Sequence, residues 1–207
     1  MLIAAIMCGG KGSRLRGFEK QEKPLLKLNG KTMLELVLDA LLQSKQFYKI
    51  VAVTSHNTPV TKSYIATNLY RKVDMIETDG VSYSYDISGV LNILRPYTVF
   101  VVGCDLPLLD ARDVKKIVSQ HSPDHGCTSV VSDKRFVTIN GINPSIIVRI
   151  NSKEYCHTGI SIFDSSKICG TSRIGEHYVV MDQVGVTVNV NTKSDLETAK
   201  KLMPYNI

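Results

Sequence analysis

Residues 8–24 read CGGKGSRLRGFEKQEKP and follow the apolar run Ile3–Met7. A short apolar run ended by glycines reads as a buried parallel strand. Gly9, Gly10 and Gly12 let the backbone approach a ligand closely and turn successive N–H groups toward an anion. Strand, glycine loop and helix, in that order, form the usual phosphate-binding turn of open α/β sheets. Two familiar versions fail on spacing. A dinucleotide fingerprint counted from Gly10 would put its third glycine at Leu15. A P-loop ending at Gly30-Lys31-Thr32 would need its first glycine at Leu25. Gly30–Thr32 is expected instead to be a turn before a helix capped by Thr32 and Glu35.

What remains is a long loop bearing Lys11, Arg14, Lys20 and Lys23. It exceeds the length of a simple βα connection. It is expected to lie over a polyanionic ligand, the alternative being a solvated surface loop. Beyond it, helical periodicity appears over 32–45, 59–70, 84–95 and 110–122, alternating with strand-like runs at 48–55, 73–78 and 98–105. That alternation predicts right-handed βαβ units and a parallel sheet covered on both faces. After residue 126 the segments become short and β-rich: CTSVVSD, KRFVTI, NPSIIVRI, YCHTGISIF and HYVVMD. Asn140-Gly141 is a hairpin-type pair. VTVNVN (186–191) reads as a further strand and 192–203 as a closing helix. The expected fold is a single α/β domain over 1–207. Its central sheet is mixed and mostly parallel, with a β-rich insertion in the second half.

With 43% hydrophobic and 21% charged residues, the composition is that of a globular chain with a substantial core. The net charge of +6 suits an anionic partner without choosing one. The five cysteines lack C-x-x-C spacing, which speaks against zinc or a thioredoxin-like site and for reduced thiols in the cytoplasm. The N-terminal apolar run is too short for a signal peptide or a spanning helix, so membrane insertion is not expected. No helix-turn-helix or aromatic–basic surface motif supports nucleic-acid binding.

GGKGSRLRGFEKQEKPLLKL resembles the G-G-x-G-x-R…K-P signature of nucleotidyltransferases with a Rossmann-like fold. Val102–Pro107 is similar to their apolar strand ending in an acid before a proline. Asn189–Thr192 with Asp195-Leu196 is similar to their C-terminal N-x-N-T…D-L motif. Within this superfamily, KPLLKLNGKTMLELV, TSHNTPVTKSYI, and NPS before TGISIF most resemble the archaeal-type adenosylcobinamide-phosphate guanylyltransferases. Relatives that act on the molybdenum cofactor are the competing subfamily. Glu154–Thr158 is more polar than the resemblance implies at that place.

The resemblance implies a three-layer Rossmann-like nucleotidyltransferase fold and transfer of GMP from GTP to adenosylcobinamide phosphate with release of pyrophosphate. It implies Mg²⁺ as cofactor. The implied roles follow residue by residue. Cys8, Gly9, Gly10, Lys11, Gly12 and Ser13 form the nucleotide loop. Arg14 bridges phosphates through its planar fork. Lys23 neutralises the reacting α-phosphate, with Lys20 as the rival lysine. Asp105 holds the metal, its alternative being a turn residue. Thr78, Asp79, Gly80, Ser84 and Asp86 are candidates for the base, with a surface helix acid as the plain reading of Asp86. Tyr83 and Tyr85 are expected to be packing residues. Gly159 and Asn189 are candidates for the acceptor side, the alternatives being a bulge glycine and a hydrogen-bonded turn. Asp195 is expected to be a first-turn helix acid. The histidines are expected on the surface or hydrogen-bonded. A homodimer stays open beside a monomer. The alternatives in other classes are a GTP-binding regulator without turnover and a nucleic-acid-binding protein.

Overall fold

The computed structural model describes residues 1–15, 21–144, 146–168 and 175–203. Arg16, Lys20 and Cys169 lie outside them. Strand β1 (Leu2–Met7) runs through the middle of a mixed sheet. β4 (Lys49–Ser55) pairs parallel on one side of it and β5 (Asp74–Thr78) pairs parallel beyond β4. β6 (Thr98–Gly103) pairs parallel on the other side of β1. Next come β9 (Lys153–Asp164), β7 (Cys127–Asp133) and the edge strand β10 (Glu176–Val180). β9 is antiparallel to both β6 and β7, whereas β10 is parallel to β7. β8 (Ile147–Ile150) pairs antiparallel with β9 off the main path. The β-rich second half therefore lays its strands into the same sheet.

Both faces are covered, as the continuous apolar runs require. Ala4 and Ile6 of β1, with Cys8 just beyond it, pack on one face with Leu34, Val37, Leu38 and Leu41 of α1 (Met33–Ser44). Val114 and Ile117 of α4 (Ala111–Ser119) join them there. Ile3, Ala5 and Met7 face the other way, against Val90 and Leu91 of α3 (Tyr83–Ile93). The period of two along one strand thus feeds two cores.

Local signals set the helix starts. α1 begins with the expected Thr32–Glu35 capping box. Asn29 and Gly30, both at positive φ, turn between β2 (Lys27–Leu28) and β3 (Lys31–Thr32). NGKT is therefore a hairpin turn leading into a cap. α7 (Lys193–Leu202) starts with a Thr192–Asp195 capping box, worth about 1 kcal/mol in such settings. Asp195 is thus the first-turn acid it was expected to be. No helix among the described residues is long and apolar enough to cross a membrane.

Three local expectations are corrected. KRFVTI is α5 (Lys134–Ile139), not a strand. Asp133 accepts the Arg135 N–H and caps it, and Val137 is buried while Ile139 is 84% exposed, so alternation has no partner to bury against. Asn140-Gly141 ends that helix rather than making a hairpin, with Gly141 N–H donating to Thr138 O. VTVNVN is not a ladder strand: the short helix α6 (Val184–Thr187) leads into an irregular segment. Its alternation survives all the same. Val188 and Val190 are buried with Leu15, Leu28 and Leu196, while Asn189 and Asn191 face away from that cluster.

Candidate active site

The chain places β4 and β5 on one side of β1 and then returns to lay β6 on the other. The direction of winding reverses between β1 and β6, and ligands of open α/β sheets bind in the crevice at the carboxyl ends of such a pair. Met7 lies opposite Gly103 in the ladder. Cys8 and Cys104 are consequently neighbours, and the glycine loop and Asp105 emerge side by side above them. Both thiols are buried and free. Its hydrogen bond with Cys104, reinforced by burial, holds the Cys8 thiol well above its usual range. Cys8 is therefore a poor nucleophile.

A cleft of about 670 Å³ opens at this point. Its floor is the glycine loop, including Cys8, Gly9, Gly10, Lys11, Gly12 and Ser13. Gly12 has φ +59°, and Leu15 N–H bonds back to its carbonyl. Leu15 itself is buried and anchors this part of the loop.

The charged centre is compact. Lys23 Nζ donates to Asp105 Oδ2 at 2.7 Å and to Asn191 Oδ1 at 2.8 Å. Arg14 Nη2 donates to the same Asn191 oxygen at 3.2 Å. The Lys23 and Asp105 side chains are only 14% and 18% exposed, so this pair is screened less than a surface pair. Asn191 is itself held in place. Its N–H donates to Asp195 Oδ2, and the neighbouring Val190 N–H donates to the Asp105 carbonyl. Asn191 stands in the N-x-N-T motif, and its part in the site comes from a contact across 168 positions of chain.

Glu22 is a second residue the sequence reading missed. Its carboxylate accepts the N–H groups of Val60 and Thr61 and the Thr61 hydroxyl, at 2.9, 2.7 and 2.6 Å. It thereby caps the start of α2 (Pro59–Tyr64), whose own Thr58 makes no capping bond and whose first turn has no acid. This fixes the residue before Lys23 to the scaffold. The sequence offers Thr58 as the cap of α2, so the only local hint of this role was the absence of an acid in the first turn.

The opposite wall carries Thr78, Gly80 and Asp86, together with Val81, Ser82 and Tyr83. Asp79 and Ser84 are exposed and do not line the cleft. Asp86 is not a surface acid: it is 7% exposed and its Oδ1 accepts the Gly80 N–H at 3.0 Å. Gly80 has φ +65°, and a Cβ there would lie 2.4 Å from Asn57 Nδ2 and 2.6 Å from Ser55 Oγ. Gly80→Ala should therefore destabilise the protein by about 1–3 kcal/mol in urea unfolding. An unchanged midpoint would show that this loop is not held as described. Tyr83 lines the cleft instead of packing in the core, its hydroxyl donating to Gly159 O at 3.4 Å. Desolvation where the cleft residues surround the ring, with the Asp105 charge acting the same way, pushes its phenol up, although the residue as a whole is 51% exposed. Tyr85 is 57% exposed and is not a packing residue either.

The far end of the cleft holds Pro144, Ile146, His157, Gly159 and Asn189. Asn189 Nδ2 donates to the Thr158 carbonyl at 3.2 Å. The arrangement can bind a polyphosphate through backbone N–H groups and two cations, with a carboxylate beside them for a hard cation. Mg²⁺ fits this donor set. It takes one or two carboxylates and completes its shell with phosphates and waters; since no group of three or more His, Cys, Asp or Glu among the described residues is placed to hold a metal, an ion here would rest on Asp105 and on phosphate oxygens. Gly103 leaves the space that Asp105 Oδ1 occupies, since a Cβ there would lie 2.3 Å from it.

Residues 4–179 match the MobA-like NTP transferase domain. The chain is 31% identical to the adenosylcobinamide-phosphate guanylyltransferase of Methanocaldococcus jannaschii, over 97% of this chain and 96% of that protein. It is 24% identical to a probable molybdenum cofactor guanylyltransferase of Natranaerobius thermophilus, over 97% and 96%. Among solved structures, a hypothetical transferase from Thermus thermophilus superposes with a TM-score of 0.71 at 14% identity, covering 94% of this chain and 98% of that one. A CMP:2-keto-3-deoxy-manno-octonic acid synthetase complexed with CTP superposes at 0.67 and 16% identity, covering 98% and 97%. These superpositions carry the fold alone: the mixed α/β sheet is that of Rossmann-like nucleotidyltransferases.

Proposed function

We propose a reaction for this chain from one premise: it belongs to the MobA-like NTP transferase family. It is a nucleotidyltransferase, and the reaction we assign is transfer of GMP from GTP to adenosylcobinamide phosphate. The observation that carries this reading is the likeness to the Methanocaldococcus protein over nearly the full length of both chains. The acceptor phosphate oxygen attacks the α-phosphorus, a P–O bond forms, the α–β bridging bond breaks, and pyrophosphate leaves with the electron pair.

Attacker and target are both anionic, so catalysis rests on positioning and charge neutralisation. Backbone N–H groups of Gly9, Gly10 and Gly12 hold the β- and γ-phosphates, and Arg14 bridges their oxygens. Lys23, paired with Asp105 in the free cleft, turns to the α-phosphate as the nucleotide enters. That exchange frees the Asp105 carboxylate to hold Mg²⁺. Asp105 would hold Mg²⁺, which would supply Lewis-acid neutralisation of the phosphate charge. Asp86 has one oxygen committed to Gly80, which leaves Oδ2 as the candidate acceptor for guanine N1–H and N2–H. Gly159 and Asn189 face the acceptor. The buried free thiols fit a cytoplasmic enzyme.

The test is pyrophosphate release by the purified protein with Mg²⁺, each nucleoside triphosphate in turn, and each acceptor. GTP with adenosylcobinamide phosphate is the expected productive pair. Turnover of GTP with molybdopterin instead would move the protein to the other guanylyltransferases. GTP binding without any release would make it a regulator.

A further inference from the structure

At the far end of the cleft the ladder between β7 and β9 slips. Ser129 pairs with Ser161 and Val131 pairs with His157, so Thr158, Gly159 and Ile160 stand against Val130 alone. This is a bulge, and bulges beside a site re-aim the chain. Here it turns Gly159, at φ +85°, toward the cleft. Thr158 Oγ1 bonds Val130 O at 3.0 Å and receives the Ile160 N–H at 3.3 Å. The remaining donor at the apex, Gly159 N–H, goes to His157 Nδ1 at 2.9 Å.

That bond decides the protonation pattern of the ring. A backbone N–H can only donate, so Nδ1 must be the bare, accepting nitrogen and Nε2 carries the hydrogen. Nε2 lies 3.5 Å from Ser161 Oγ, which lies 3.3 Å from Ser129 Oγ. Ser129 Oγ donates to Glu176 Oε1 at 2.5 Å, and Tyr178 OH donates to the other oxygen at 2.6 Å. With a fixed donor at one end and a carboxylate at the other, every hydroxyl between has one consistent orientation. The chain of bonds runs from the cleft to the edge strand β10.

We infer that His157, as the Nε2–H tautomer, is a positioning residue for the acceptor. It fixes the Thr158–Ile160 bulge, whose Gly159 faces the acceptor and whose Thr158 carbonyl holds Asn189. This rests on the assignment of GTP and adenosylcobinamide phosphate as substrates. The role is specific to one half of the cleft, because the triphosphate loop lies on other elements. It is also sensitive to acid, since a protonated Nδ1 donates and can no longer receive the Gly159 N–H. Burial keeps His157 neutral to lower pH than an ordinary histidine, with Glu176 pulling the other way. The titratable groups around the network are Glu176 and Tyr178 of β10, Cys127 of β7 and Tyr83 of α3 across the cleft. Its hydrogen bond to Glu176 pushes Tyr178 up to about 12, out of the relevant range.

The test compares wild type, His157→Leu and His157→Asn, with pyrophosphate release from GTP and adenosylcobinamide phosphate as the readout. Activity of the wild type with this pair checks the substrate assignment separately. His157→Leu should raise the acceptor KM roughly tenfold, about the effect of one lost hydrogen bond, and leave the GTP KM within about twofold. Asparagine can offer Oδ1 in place of Nδ1 and should restore most of the loss. As the pH falls into the acid range the acceptor KM should climb more steeply in wild type than in His157→Asn, which keeps only the titration of the acceptor's own phosphate at about pH 6. Equal rises in both KM values, or no rescue by asparagine, would overturn the role. Nitrogen NMR of the histidine-labelled wild type needs no substrate: a ring protonated at Nδ1 near neutral pH would overturn it as well.

Discussion

Replacing Asp105 by alanine should lower kcat roughly 10³-fold, the scale of losing a metal ligand or a main electrostatic contact to the reacting phosphate. The fold should survive. In the free protein the carboxylate answers Lys23, whose ammonium keeps its bond to Asn191 Oδ1 after the change. Leaving that partly buried charge with one partner fewer costs about 1–2 kcal/mol. For a chain of this size each kcal/mol moves the thermal midpoint by about 2–4 °C. The separation between a large kinetic loss and a small thermal one is the signature to look for. Asp105→Asn sharpens it. The amide oxygen can still receive the Lys23 ammonium, so stability should fall less, yet without the charge the rate should fall about as far. A variant of either kind with near-normal kcat would remove Asp105 from the chemistry. The residue would then be a turn-former at the end of β6.

The two halves of this centre differed in how far the sequence revealed them. The glycine loop was legible because its signal is local: an apolar run, then glycines at 9, 10 and 12, then cations. Asp105 was legible for the same reason, standing at the end of the strand 98–103. Asn191 was visible as a residue but not as a hinge of the cation pair, since Arg14 and Lys23 meet it from the far end of the chain. Glu22 looked like incidental charge in a polar stretch, and only α2's uncapped start shows why it is there. Asp86 looked like a surface acid because helix periodicity cannot show that a neighbouring loop donates to it. The 186–191 segment misled by its alternation. Burying valines on one side and presenting asparagines on the other needs only two environments, and a cleft wall supplies them as well as a sheet does. His157 had no local pattern at all, because the bulge that uses it exists only when β7 and β9 pair.

Lys23→Met should reduce kcat/KM for GTP by roughly 10²–10³-fold, the loss of one preorganised cation at the developing phosphate charge. Methionine keeps an unbranched stem of similar length, so packing against the loop is retained and the change isolates the charge. The thermal cost should again be small, although its origin is reversed: here a carboxylate, Asp105, loses its ammonium. That reversal separates the two variants under Mg²⁺. With Lys23 gone, Asp105 is already released, so Mg²⁺ should stabilise Lys23→Met against heat at lower concentration than it stabilises wild type, whereas Asp105→Ala should show no such response. Lys23→Arg should recover part of the rate, because the charge returns on a planar fork that does not match the ammonium's point contact. Lys20→Met supplies the comparison that decides between the two lysines, and it should stay within a few-fold of wild type. If Lys20→Met collapses the rate and Lys23→Met does not, Lys20 is the catalytic cation. Lys23 would then be the counter-ion that keeps Asp105 and Asn191 in place.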